Sequence, residues 1–224
     1  MNRWLTAFAV GIAALFSSSA ASASVIFSTG AGSAVSSADR VATFGSLTSD
    51  GIPLSSYTED GLSITTPNVS YVGFPAFSNS ETTQFFYGNG GGDNFVTITT
   101  TDNAPIYGLE FLLGDGYGGT TTNLLWETLS GATVTGSGFV GGIAKGTVVG
   151  WYDSSTFDTL EVAAGEGLTA SSVLGDFQAI ALDNVRVQLS PTRESNVPEP
   201  VSLSLLALGG VGLAVVVRRK RTIA

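Results

Sequence analysis

Apolar and polar residues alternate with a period of two through most of the chain, and Gly, Asn, Asp and Pro interrupt the alternation every few residues. This pattern predicts short antiparallel strands with one face buried. Strands are expected at residues 25–28, 40–44, 62–66, 84–87, 94–100, 106–113, 123–129, 132–139, 146–152, 160–163 and 179–189. Turns are expected at Asp50-Gly51, Asp60-Gly61, residues 88–93, Asp115-Gly116 and Ser130-Gly131. In 106–113, Tyr107, Leu109, Phe111 and Leu113 form the predicted core face, and in 94–100 Val96 and Ile98 do. Helical periodicity is nearly absent, and no fixed-period repeat argues for a solenoid. The expectation is an all-β fold, a single antiparallel β-sandwich of jelly-roll type rather than a closed barrel.

Two segments break the pattern with uncharged, predominantly apolar runs. At the start, Arg3 precedes an apolar stretch over residues 4–16, and Ala21-Ser22-Ala23 offers small residues for cleavage before Ser24. This is the layout of a secretory signal peptide. At the end, Val197-Pro198-Glu199-Pro200 is followed by an uncharged apolar run over 201–217 and then by Arg218, Arg219, Lys220 and Arg221. The two prolines keep the short segment extended and outside any helix. The apolar run would cover about 25 Å as a helix, close to a membrane's hydrocarbon thickness with snorkelling cations at its end. The basic cluster places that end in the cytoplasm. The expected organisation is a signal peptide (1–23), a β-sandwich domain (24–190), a linker with the Pro-Glu-Pro motif (191–200), a C-terminal transmembrane helix (201–217) and a basic cytoplasmic tail (218–224).

The order of Val197-Pro198-Glu199-Pro200, apolar run and basic cluster resembles the PEP-CTERM sorting signal of exopolysaccharide-producing Gram-negative bacteria, a tail also classified as an ice-binding-protein C-terminal domain. The resemblance implies an exosortase, a membrane-embedded protease and transpeptidase, that recognises the Pro-Glu-Pro segment and cuts near it. The inner membrane would then hold the precursor only transiently, before deployment at the cell surface or in the extracellular matrix. The resemblance is confined to the tail and assigns no ligand to the body.

Composition narrows the chemistry. The chain of 224 residues has no His and no Cys, so Ser-His-Asp triads, Cys nucleophiles, His or Cys zinc sites and disulfides are excluded. Between the two terminal signals only Arg40, Lys145, Arg186 and Arg193 oppose seventeen acids, a balance of −13 that repels nucleic acid. Catalysis would need a carboxylate pair or a carboxylate-bound metal. Glu110, Glu127 and Glu161 are the acids placed on or beside strands; they are either such a pair or solvated strand-face acids. No cofactor is expected beyond a candidate Ca²⁺, for which Asp93, Asp115 and Asp183 are the ligand candidates. Residues 88–95 resemble a single turn of the Gly- and Asp-rich calcium-binding nonapeptide, or form a plain hairpin loop. Residues 177–189 are similar to the closing strand of carbohydrate-binding and lectin-like jelly rolls. There Asp183 should share a face with Ala181 and Val185, and either accept backbone N–H bonds or help hold Ca²⁺. Flat rings suit sugar faces. Of Tyr71, Phe74, Phe77, Tyr117, Trp126, Trp151 and Tyr152, only Tyr117, set among glycines, is expected to be an exposed ligand-binding residue. The sequence therefore predicts a non-enzymatic exported protein with a structural or adhesive role in the matrix. The alternatives are a carbohydrate-binding module that takes polysaccharide, with or without Ca²⁺, and a carboxylate-dependent glycoside hydrolase.

Overall fold

The computed structural model describes residues 25–45, 52–72, 84–88, 95–115, 119–175 and 180–191. Twelve strands lie within them: β1 (Ile26–Thr29), β2 (Arg40–Ala42), β3 (Ile52–Glu59), β4 (Leu62–Val72), β5 (Phe86–Gly88), β6 (Val96–Thr100), β7 (Ile106–Gly114), β8 (Thr121–Ser130), β9 (Thr133–Ala144), β10 (Thr147–Phe157), β11 (Thr159–Ala164) and β12 (Ile180–Gln188). Every pairing is antiparallel, and the described residues contain no helix. The fold is all-β, with two antiparallel sheets arranged as a sandwich. One layer runs β1-β10-β7-β12-β5, with β2 also on β12; the other runs β4-β6-β11-β8-β9, with β3 on β4.

Hydrogen bonding continues from one layer to the other through β4. Its residues Leu62 to Thr65 pair with β6, while Ser70 to Val72 pair with β5. Between these halves stands Pro67, which has no N–H to give a ladder, and the partner strand β3 shifts register between Leu54 and Ser56. A strand that loses one bond and gains a bulge can bend, and here the bend carries the chain across the sandwich edge. Asp60 and Gly61 make the tight β3–β4 turn with φ of 48° and 74°, the left-handed geometry that an Asp-Gly pair adopts readily.

The two layers bury a core centred on aromatic rings. Trp151 of β10 meets Trp126 of β8 edge-on at 6.0 Å, and packs on Phe111 at 5.5 Å and Phe27 at 5.6 Å. Leu109, Phe111 and Leu113 face this core, as do Val96 and Ile98, in agreement with the alternation. Tyr107 is half-buried instead of core, and Ile106 takes an inward position at the start of β7, where its partner β10 shifts register between Tyr152 and Phe157.

β12 carries a second parity change. Ile180 and Leu182 face the core, and so do Val185 and Val187, because the ladder to β7 is irregular between Asp183 and Arg186 and Asn184 has φ 50°. Asp183 therefore does not share the face of Val185. The expected signal peptide, membrane helix and basic tail, and the linker beyond Pro191, lie outside the described residues, among which no helix is long and apolar enough to cross a membrane.

Candidate functional site

The outer face of the second layer gathers the polar residues that the alternation turns away from the core. On β8, Leu124 and Trp126 point inward, so Leu125 and Glu127 point outward; on β11, Leu160 and Val162 point inward, so Glu161 and Ala163 point outward. Strand register then sets a row straight across the layer: Thr65 opposite Thr97, Thr97 opposite Glu161, Glu161 opposite Glu127, and Glu127 opposite Ser137. Directly opposed residues hold their Cβ atoms about 5 Å apart. The two carboxylates are thus immediate neighbours, although no local motif joins them in sequence. Two residues along each strand, Ala163 and Leu125 form an apolar cluster with Leu168, Phe95, Phe139 and Leu174. The face thus sets a stripe of hydroxyls and carboxylates beside a ridge bearing two aromatic rings.

Burial, and after it the negative charge of Glu127, push the Glu161 carboxyl above its ordinary 4.5. A raised carboxyl holds its proton more tightly in the folded state, so its contribution to stability is complete below about 4.5 and is lost as pH rises through the raised value. Denaturant midpoints measured from about pH 4 to pH 7 should fall less steeply for Glu161→Gln than for the native chain, with Glu127→Gln in between. Identical slopes for all three would show that folding does not raise the Glu161 carboxyl, and a Glu127→Gln slope equal to the native one that the two acids do not sense each other.

Glu110 is not part of that row. It lies on β7 in the other layer, 1% exposed, where its carboxylate accepts the N–H of Gly32 at 3.0 Å and of Val35 at 3.3 Å and pairs with Arg186. The segment carrying Gly32 and Val35 lies against the outer face of the first layer; a side chain at Gly108 or Gly150 would collide with Ala34. Glu110 is therefore neither a solvated acid nor a partner of Glu127 or Glu161, but an anchor for this strap.

A second buried cluster forms at the end of the sandwich where β7 stops, β9 turns into β10, and β11 runs out. Asp115, fully buried, lies 2.5 Å from the ammonium of Lys145, whose side chain is 1% exposed. Backbone bonds fix the lysine: its N–H donates to Thr120 O at 3.0 Å, and the next N–H, of Gly146, donates to Leu113 O at 2.8 Å. Glu166 approaches from the loop after β11, with Oε1 at 3.7 Å from Lys145 Nζ and accepting the Gly119 N–H at 2.9 Å. Asn123 holds that loop through Glu166 O and Leu168 O.

The three calcium candidates do not come together. Asp115 pairs with a lysine, a cation already in place. Asp183 accepts the N–H of Asn184 at 2.6 Å and that residue's side-chain amide at 3.1 Å. It is opposite Leu112, three residues from Asp115, or about 10 Å along a strand. Asp93 lies outside the described residues, as do Tyr117, Phe74 and Phe77 and every residue of the sorting motif, membrane stop and signal cleavage site. Among the described residues no three acids gather as a metal site would need. Trp126 and Trp151 are core residues, and Tyr152 is half-buried on β10. Sequence reasoning passed over Lys145 and Glu166. The available signal was that Lys145 is the one lysine ahead of the basic tail, in a chain whose body is strongly acidic.

No protein-family model and no curated protein matches the chain. Among solved structures, a DUF4465 family protein from Bacteroides caccae is similar over 69% of this chain and 100% of its own, with 8% identity and a TM-score of 0.43.

Proposed function

We propose that this is an exported, non-enzymatic protein of the cell surface or exopolysaccharide matrix, carried out by its signal peptide and sorted by its PEP-CTERM tail. The apolar run 201–217 crosses the inner membrane transiently, and an exosortase processes the chain near Pro198, Glu199 and Pro200. The sandwich has a structural or adhesive role. The observation that supports this reading best is the fate of the two most deeply buried acids: Glu110 anchors a strap and Asp115 is paired with Lys145, leaving neither poised toward a substrate. The strand neighbours β5-β12-β7-β10 in one layer and β6-β11-β8-β9 in the other support a jelly-roll description of the sandwich. Exported material should end near Pro198 to Pro200 by mass determination. A product that retains Arg218, Arg219, Lys220 and Arg221 would remove the processing step.

A second reading is favoured by the outer face of the second layer: a carbohydrate-binding module whose Glu127, Glu161, Thr97 and Ser137 hydrogen-bond sugar hydroxyls beside Phe95 and Phe139. Polysaccharide binding on an array, repeated with a chelator to test for Ca²⁺, should weaken at least tenfold in Glu127→Ala; no binding to any polysaccharide under either condition would remove this reading. Among the described residues Glu127 and Glu161 are the carboxylates placed side by side on an outer face, so turnover that vanishes in Glu127→Gln is what the hydrolase alternative requires.

A further inference from the structure

The chain has no cysteine and so no disulfide, yet two side chains of complementary chemistry are pressed together inside it. Lys145 Nζ lies 2.5 Å from Asp115 Oδ1, with side-chain exposures of 1% and 0%. The carboxyl carbon is one bond beyond that oxygen, so amine and acyl carbon are held at near-attack range without any diffusional step. Two charges withdrawn from water carry a desolvation cost, whereas an amide in their place carries no charge. A third group completes the arrangement: Glu166 Oε1 is 3.7 Å from the same nitrogen, steadied by the Gly119 N–H, on a side chain still 47% exposed and able to rotate closer.

We propose that Lys145 and Asp115 condense into an intramolecular isopeptide bond, with Glu166 as the catalytic proton carrier. Glu166 takes a proton from the Lys145 ammonium and passes it to the Asp115 carboxylate. The freed amine lone pair attacks Cγ of the protonated Asp115, forming the C–N bond and a tetrahedral adduct. Glu166 removes a proton from the nitrogen and delivers it to the departing hydroxyl, which leaves as water as the C–O bond breaks and the carbonyl reforms. One ammonium and one carboxylate become one amide and one water, Glu166 ends as it began, and no oxidant or other reagent is consumed. The bond closes a loop around the β8–β9 hairpin, removing unfolded-state freedom as a disulfide would.

The test is a chymotryptic peptide map of the purified full-length chain, cut after Trp126 and Phe139 so that Asp115 and Lys145 fall in different peptides. The expected product is a branched peptide joining the two, lighter than their sum by one water, about 18 Da. It should be absent from Lys145→Arg and from Asp115→Ala, and lost or slowed at least tenfold in Glu166→Gln. Asp115 precedes Gly116, so a cyclic imide within the Asp115 peptide would lose the same mass. That imide leaves the peptide linear and persists in Lys145→Arg. Only linear peptides in the native chain, with or without that loss, would overturn the proposal, and a Glu166→Gln chain that links as fast as the native one would remove Glu166 from it. The native map decides the matter even where a variant fails to fold.

Discussion

Arg186→Met is expected to lower unfolding free energy by about 3 kcal/mol, the lower end of the cost of stripping a buried ion of its partner. The physical reason is asymmetry. Glu110 is 1% exposed, whereas the Arg186 side chain is 33% exposed, so the carboxylate depends on the pair far more than the guanidinium does. The N–H groups of Gly32 and Val35 continue to solvate the carboxylate, which is why the larger figures for buried pairs do not apply. Arg186→Lys retains the charge without the planar fork and should recover much of the loss. Denaturant unfolding followed by circular dichroism measures all three chains. A deficit below about 1 kcal/mol for Arg186→Met would mean that the backbone donors alone satisfy Glu110.

Trp151→Ala should cost about 3–5 kcal/mol, since it empties the largest buried side chain from the point where the layers meet. Its neighbours Phe27, Phe111 and Trp126 come from three different strands, and they cannot all move inward without breaking their own ladders. Trp151→Phe should be much milder than the lost volume alone implies. Among the described residues no acceptor reaches the indole N–H of Trp151, so the phenylalanine also removes an unsatisfied buried donor. The readout is again the denaturant midpoint by circular dichroism, because fluorescence would lose one of its own reporters. A Trp151→Ala chain within about 1 kcal/mol of the native one would contradict a core shared by the two layers.

Much of this fold is legible in the sequence, and the parts that are not share a cause. Period-two alternation marks ten of the eleven expected strands through segments such as 94–100 and 106–113, because one face is buried and the other is not. The eleventh, 84–87, is found as the short β5 (Phe86–Gly88), one to two residues later. β3 (Ile52–Glu59) was not expected. It contains Pro53 and a Ser-Ser pair, and as an edge strand it needs neither strict alternation nor a full set of donors. The face of Asp183 relative to Val185 was misread because a bulge in β12 reverses parity, and that of Ile106 where β10 shifts register against the start of β7; such irregularities leave little trace in composition. The sites were harder to read. Glu127 and Glu161 are 34 residues apart and meet only through strand register, while Asp115, Lys145 and Glu166 meet only where three loops converge. Such meetings belong to topology, which no local window of sequence contains.

The placement of β12 has a mechanical corollary. The described chain leaves this strand at Pro191, and β12 is not an edge: β7 pairs along one side, and β2 and β5 share the other. A pull applied there along the strand is resisted by ladders on both flanks loaded in shear, many bonds at once, rather than peeled apart singly. The exit point is thus one of the stiffest places from which this molecule could be tugged.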